Sequence, residues 1–117
     1  MKIKIDVKGV EETIAKLSVL NTKARKAVEQ QIAESALNIQ MGAKKRCPVR
    51  TGALRNSITV DFYGKMSAQI GPHMPYAAYV EYGTKKMAAQ PYLFPAFEEE
   101  RPKLEEGIKK AIEEATK

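Results

Sequence analysis

Cys47 is the only cysteine in the chain, so neither an intrachain disulfide nor a cysteine-based zinc cage can form. That usage suits a reducing compartment. As a nucleophile Cys47 lacks support: His73 is the only histidine, and no spacing brings the two together. Cys47 therefore reads as a small packing residue and His73 as a solvated loop residue. Long apolar runs are also missing. The hydrophobic stretches are short and broken by charge, and residues 1–6 alternate in place of a continuous apolar segment, which predicts a soluble chain without a membrane span or a cleaved leader. Equally absent are a glycine-rich phosphate loop, a serine elbow, His or Cys pairs at metal-ligand spacing, and paired carboxylates in a setting that shifts their titration. No cofactor or metal is expected. The best catalytic suspect is Glu81, which would need desolvation between Val80 and Tyr82 to act as a general acid or base. The commoner reading is an exposed or ion-paired carboxylate, with Arg50 or Arg55 as its partner.

What is present is charge, unevenly placed. The chain has 117 residues, 44% hydrophobic and 29% charged, enough for one modest core and one domain spanning residues 1–117. Its net charge of +6 is concentrated in residues 1–55, where 12 Lys or Arg face 5 Asp or Glu; residues 56–117 hold 8 against 9. The densest cluster is Lys44, Lys45, Arg46, Arg50 and Arg55. It reads equally as cations opposing the negative end of a helix dipole and as a surface for an anionic partner, DNA or an acidic protein face. No recognised nucleic-acid module is legible, so any DNA contact would be independent of sequence and steeply salt-dependent.

Hydrophobic periodicity orders the chain. Ile3, Ile5 and Val7 alternate with polar residues as in a strand with one buried face, and Gly9 ends it. Val10, Ile14, Leu17 and Leu20 then recur at helical spacing. Asn21-Thr22 makes a turn and N-cap, and the longest helix follows to about Arg46, with Val28, Ile32, Ala36, Ile39 and Ala43 along one stripe. Roughly 25 residues at 1.5 Å each span nearly 40 Å. Pro48 stops it. Residues 57–62 and 66–70 alternate as two strands of a hairpin, and Gly71-Pro72-His73-Met74-Pro75 is a loop. Tyr76, Tyr79 and Tyr82 recur every three residues, a spacing open to a helical turn or an irregular strand. Residues 90–94 read as extended, Pro95 opens a last amphipathic helix, and Glu98, Glu99 and Glu100 fall in its first turn.

Three blocks in order, residues 47–58 (Cys-Pro-Val-Arg-Thr-Gly-Ala-Leu-Arg-Asn-Ser-Ile), 76–84 (Tyr-Ala-Ala-Tyr-Val-Glu-Tyr-Gly-Thr) and 90–96 (Gln-Pro-Tyr-Leu-Phe-Pro-Ala), follow the long helix. With them the chain resembles the minor tail or tail-completion proteins of long-tailed bacteriophages, the neck proteins that join the capsid connector to the tail tube. The resemblance covers almost the whole chain. It implies an α+β fold, a small and mostly antiparallel β-sheet packed by a long central helix and a C-terminal helix. It implies assembly as a ring of six at the head-proximal tail end, with tail-tube and head-closure or connector proteins as partners. A phage or prophage source, a place in the virion, host cytoplasm during assembly, no membrane partner and no catalysis are implied as well. Within that frame Pro48, Gly52, Gly83, Pro91 and Pro95 shape loops, while Lys44, Lys45, Arg46, Arg50, Arg55, Tyr76, Tyr79, Glu81 and Tyr82 are candidate contacts between proteins. Arg50 and Arg55 suit bidentate pairing with carboxylates, and the tyrosines suit either a subunit contact or packing inside the monomer. The second reading is a basic, sequence-independent nucleic-acid-binding module; a small enzyme using Glu81 is a distant third.

Overall fold

The structure, a computed structural model, describes residues 2–6, 22–49, 52–63 and 67–115. The expected helix over residues 10–20, most of the expected hairpin turn at 63–65 (64 and 65) and the candidate contact Arg50 lie outside the described residues. Among the described residues seven elements follow in chain order: β1 (Ile3–Asp6), α1 (Thr22–Arg46), α2 (Ala53–Ser57), β2 (Thr59–Phe62), β3 (Ser67–Gly71), α3 (Ala77–Tyr82) and α4 (Leu93–Ala115). The strands form one antiparallel sheet in the order β1-β3-β2, with Ile3 opposite Ile70 and Val60 opposite Ile70 on its other side. The fold is α+β, as expected.

α1 is the spine. Its apolar stripe is fully used, because Val28, Ile32, Ala36, Ile39 and Ala43 are all at most 1% exposed. The helix packs along α4 on one side and against β3 and β2 on the other. From α4 come Leu93, Ala96, Leu104, Ile108 and Ala111, and from the sheet side Ile3, Ile58, Ala68 and Ile70; together they form one buried cluster. Each fully buried Ile or Leu contributes roughly 1.5–3 kcal/mol by leaving water. α1 and α4 approach closely where Gly42 faces Ala96: a Cβ at Gly42 would stand 3.2 Å from the Ala96 Cβ. Lys44, Lys45 and Arg46 close the last turn of α1, opposing its dipole, and Pro48 keeps it from continuing.

Two local features differ from expectation. Residues 53–57 form a short helix where only a turn leading into a strand was expected, and β2 starts at Thr59. Gly52, with φ 82, starts that helix, and Ser57 Oγ donates to the Leu54 carbonyl at 2.7 Å near its end. Five residues are too few for periodicity to reveal. The tyrosine segment is a helix, settling the choice that the three-residue spacing left open.

Ile39 is fully buried in the cluster that α1 shares with α4 and the sheet. Ile39→Ala is expected to lower unfolding free energy by about 2–5 kcal/mol, measured as a reduced urea midpoint with an unchanged slope.

Candidate protein-contact surface

The first turn of an α-helix exposes amides that lack intrahelical acceptors. At the start of α4 the amides of Tyr92 and Leu93 are buried and that of Phe94 partly so, and Glu81 of α3 accepts them. Its Oε1 receives the N–H of Leu93 at 2.8 Å and of Tyr92 at 3.2 Å, and its Oε2 that of Phe94 at 3.4 Å. Pro95 follows and has no N–H. The carboxylate, 3% exposed, therefore satisfies each free amide of residues 92–94 and places negative charge at the positive end of the helix.

This corrects three expectations. Glu81 is not a surface contact, because its side chain faces inward under α4. Its hydrogen-bond partners are amides, and no ion pair joins it to Arg55 among the described residues. Finally, α4 begins at Leu93, so Glu98, Glu99 and Glu100 lie beyond the first turn, which contains no acid of its own. The acid that complements the dipole comes from another helix.

The loop between α3 and α4 is built to deliver that cap. Gly83 takes φ 79, and a Cβ there would fall 2.7 Å from the Ala89 nitrogen and 2.9 Å from the Met87 carbonyl, so only glycine fits. Thr84 N–H donates to the Met87 carbonyl at 2.8 Å, and Gln90 N–H reaches the Val80 carbonyl at 2.8 Å. Pro91 leads into Tyr92, which is fully buried, and Tyr92 Oη donates to the Ala77 carbonyl at 3.3 Å. Burial, with Glu81 beside it, pushes the Tyr92 hydroxyl far above the ordinary tyrosine range. Cys47 is buried nearby; burial raises its thiol pKa, Arg55 opposes the shift, and Glu81 adds to it.

With Glu81 turned inward, α3 turns its tyrosines outward. Tyr79 and Tyr82 are each 60% exposed and Tyr76 39%. The ring of Tyr82 lies 5.9 Å from that of Phe94, tilted 48°, and Phe94 and Met87 are themselves exposed. The tyrosines thus form an aromatic surface and are not monomer core. Exposed Lys85 and Lys86 flank it on the loop.

The basic cluster forms a second surface. Lys44, Lys45 and Arg46 of α1, Arg55 of α2 and Lys103 of α4 line one groove, together with Met41, Gly42 and Ala96. Arg46 pairs with Glu99 and also donates to the Gly42 carbonyl at 3.2 Å. Lys103 was not anticipated, since only the fold brings it to the α1 end. Nor was the polar seam below, where Glu100, 6% exposed, accepts from Ser35 Oγ at 3.2 Å and Asn38 Nδ2 at 3.1 Å. Pro102 gives no sequence signal of its place in a helix. It sits inside α4 on the exposed side, leaving the Glu98 carbonyl without its helical donor.

Among the described residues no helix is long and apolar enough to cross a membrane, and no three His, Cys, Asp or Glu side chains gather as a metal site. Residues 11–83 match the family described as "Bacteriophage HK97-gp10, putative tail-component". The match spans more than half of the chain and runs from the segment before α1 to the turn at Gly83. The chain belongs to this family of phage tail components. No curated protein and no solved structure matches it.

Glu81→Ala strips the cap from two buried amides and one half-buried one and is expected to cost about 2–4 kcal/mol, read from urea unfolding, with Glu81→Gln losing less because its amide oxygen still accepts. Burial keeps the Cys47 thiol protonated, so its labelling by a thiol-specific disulfide reagent at neutral pH is expected to be slow in the native protein and fast in denaturant. Equal rates in the two states would show the thiol to be accessible.

Proposed function

We propose that this protein is a structural component of the phage neck or head-proximal tail end, joining the tail tube to the capsid connector by assembling as a ring, with no catalytic role. The observation that carries the reading is the division of labour in α3. Its carboxylate lies inside the fold, while its two tyrosines, Tyr79 and Tyr82, and Tyr76 at its N-cap are exposed, with Tyr82 against the exposed ring of Phe94. Tyr is favoured at the buried centre of protein contacts because it offers large area at small entropic cost. Membership of a tail-component family supplies the setting. The partners of this reading are further copies of the chain, the tail-tube protein and the head-closure or connector proteins, and its location is the virion after assembly in the host cytoplasm.

A second reading is favoured by one observation. Lys44, Lys45, Arg55 and Lys103 surround one groove without an ion-pair partner among the described residues. Four such cations would suit a sequence-independent contact with DNA. A ring that lets a genome slide through it works against tight binding at its lumen, which favours protein contact for these residues.

In induced lysates of the source phage, deleting the gene is expected to leave full heads apart from tails in electron micrographs, and a wild-type copy to restore joined virions. Complementation by Tyr79→Ser with Tyr82→Ser is expected to fail although that variant folds, because both side chains are exposed. Normal virions from the deletion would rule out the joining role. DNA retention that falls steeply with salt would then favour the second reading.

A further inference from the structure

We infer that the outer face of α1 pairs with the same face of a second copy, antiparallel, about a two-fold axis near residue 39. The core stripe of α1 fixes which side faces inward. At about 100° per residue, Glu34, Leu37, Met41 and Lys45 lie on the opposite side, one helical turn apart. Leu37 is 48% exposed and Met41 67%, on a helix whose inward face is already filled. Two adjacent apolar side chains on this face form a small exposed apolar patch, and the charges that flank it decide what could cover it.

The order of charges along the face identifies the cover. Glu34 lies before the apolar pair; Lys44 and Lys45 lie after it. None of the three has an ion pair or hydrogen-bond partner among the described residues. In an antiparallel pair, the register that sets Leu37 against Met41 of the second copy sets Glu34 against its Lys44, with Lys45 one residue on. The two-fold axis repeats this at the other end. A parallel pair would instead set Glu34 against Glu34 and lysine against lysine. The face is therefore self-complementary in one orientation only, as an isologous contact requires.

A single helix pair of this length buries less than the roughly 1,200 Å² of stable complexes. The dimer is accordingly weak and concentration-dependent. A two-fold contact closes on itself and builds no ring, so this pair is a state of the free subunit and does not rest on the neck reading.

Sedimentation equilibrium of the purified full chain over rising concentration is expected to show monomer and dimer. Leu37→Ser with Met41→Ser is expected to give monomer alone, with an unchanged circular dichroism spectrum because both sites are exposed. E34K turns two attractive contacts repulsive and should weaken dimerisation about tenfold or more; K44E with K45E should do the same. Combining E34K, K44E and K45E should restore the affinity of the native chain. A chain that stays monomeric throughout, a dimer indifferent to the loss of Leu37 and Met41, or a triple variant as weak as its parents would each overturn the pairing.

Discussion

Burying the start of a long helix creates a debt of unsatisfied amides, and in this fold one carboxylate answers for all of them. Glu81 sits on α3, eleven to thirteen residues before the amides it accepts. Because it must be buried to reach them, α3 has to lie beneath the start of α4, and the loop between must turn sharply at Gly83 and return through Pro91. That placement in turn seats Tyr92 in the core and rolls Tyr76, Tyr79 and Tyr82 outward. The aromatic surface is thus a geometric consequence of the cap.

The interior between α1 and α4 follows the same rule of paired polar groups. Glu100 is a second buried carboxylate, and it too is held by neutral donors, Ser35 and Asn38, with Gln31 donating to Ser35 in turn at 3.0 Å. Buried polar groups satisfied in this way fix one register between two helices that apolar contacts alone would allow to slide. The small residues Gly42 and Ala96 bring the helices together beyond that seam. Stability comes from the apolar stripe, and alignment comes from the seam.

Much of the architecture was legible because its signals are local. Thr22 and Pro48 bracket α1, its stripe from Val28 to Ala43 names the buried face, and alternation marks β2 and β3 as a hairpin. The strand order β1-β3-β2 was not legible, since pairing across the chain leaves no mark within either strand. The same holds for Glu81. Capping motifs recognisable in sequence lie within a few residues of the helix they serve, and this one comes from a different helix. The three acids at 98–100 were the local candidates, and they lie too far into α4 to serve. A signal for the outer face of α1 does exist: Leu37 and Met41 are apolar at helical spacing but out of phase with the larger core stripe, which dominates the helical periodicity.

The pairing of α1 with α4 also bears on how the chain comes together. Ser35 and Asn38 meet Glu100 across 65 and 62 residues of sequence, and β1 must find β3 across a comparable span. The β2–β3 hairpin and α3 with its loop close locally, but the spine cannot bury its stripe until its far partners arrive. Contacts of such long range cost closure entropy before they return any stabilisation, and they slow folding. Until that closure, the chain shows solvent a helix-length strip of Val28, Ile32, Ala36 and Ile39. The interval in which this protein is most prone to misassemble is therefore its own folding, before any virion surface is involved.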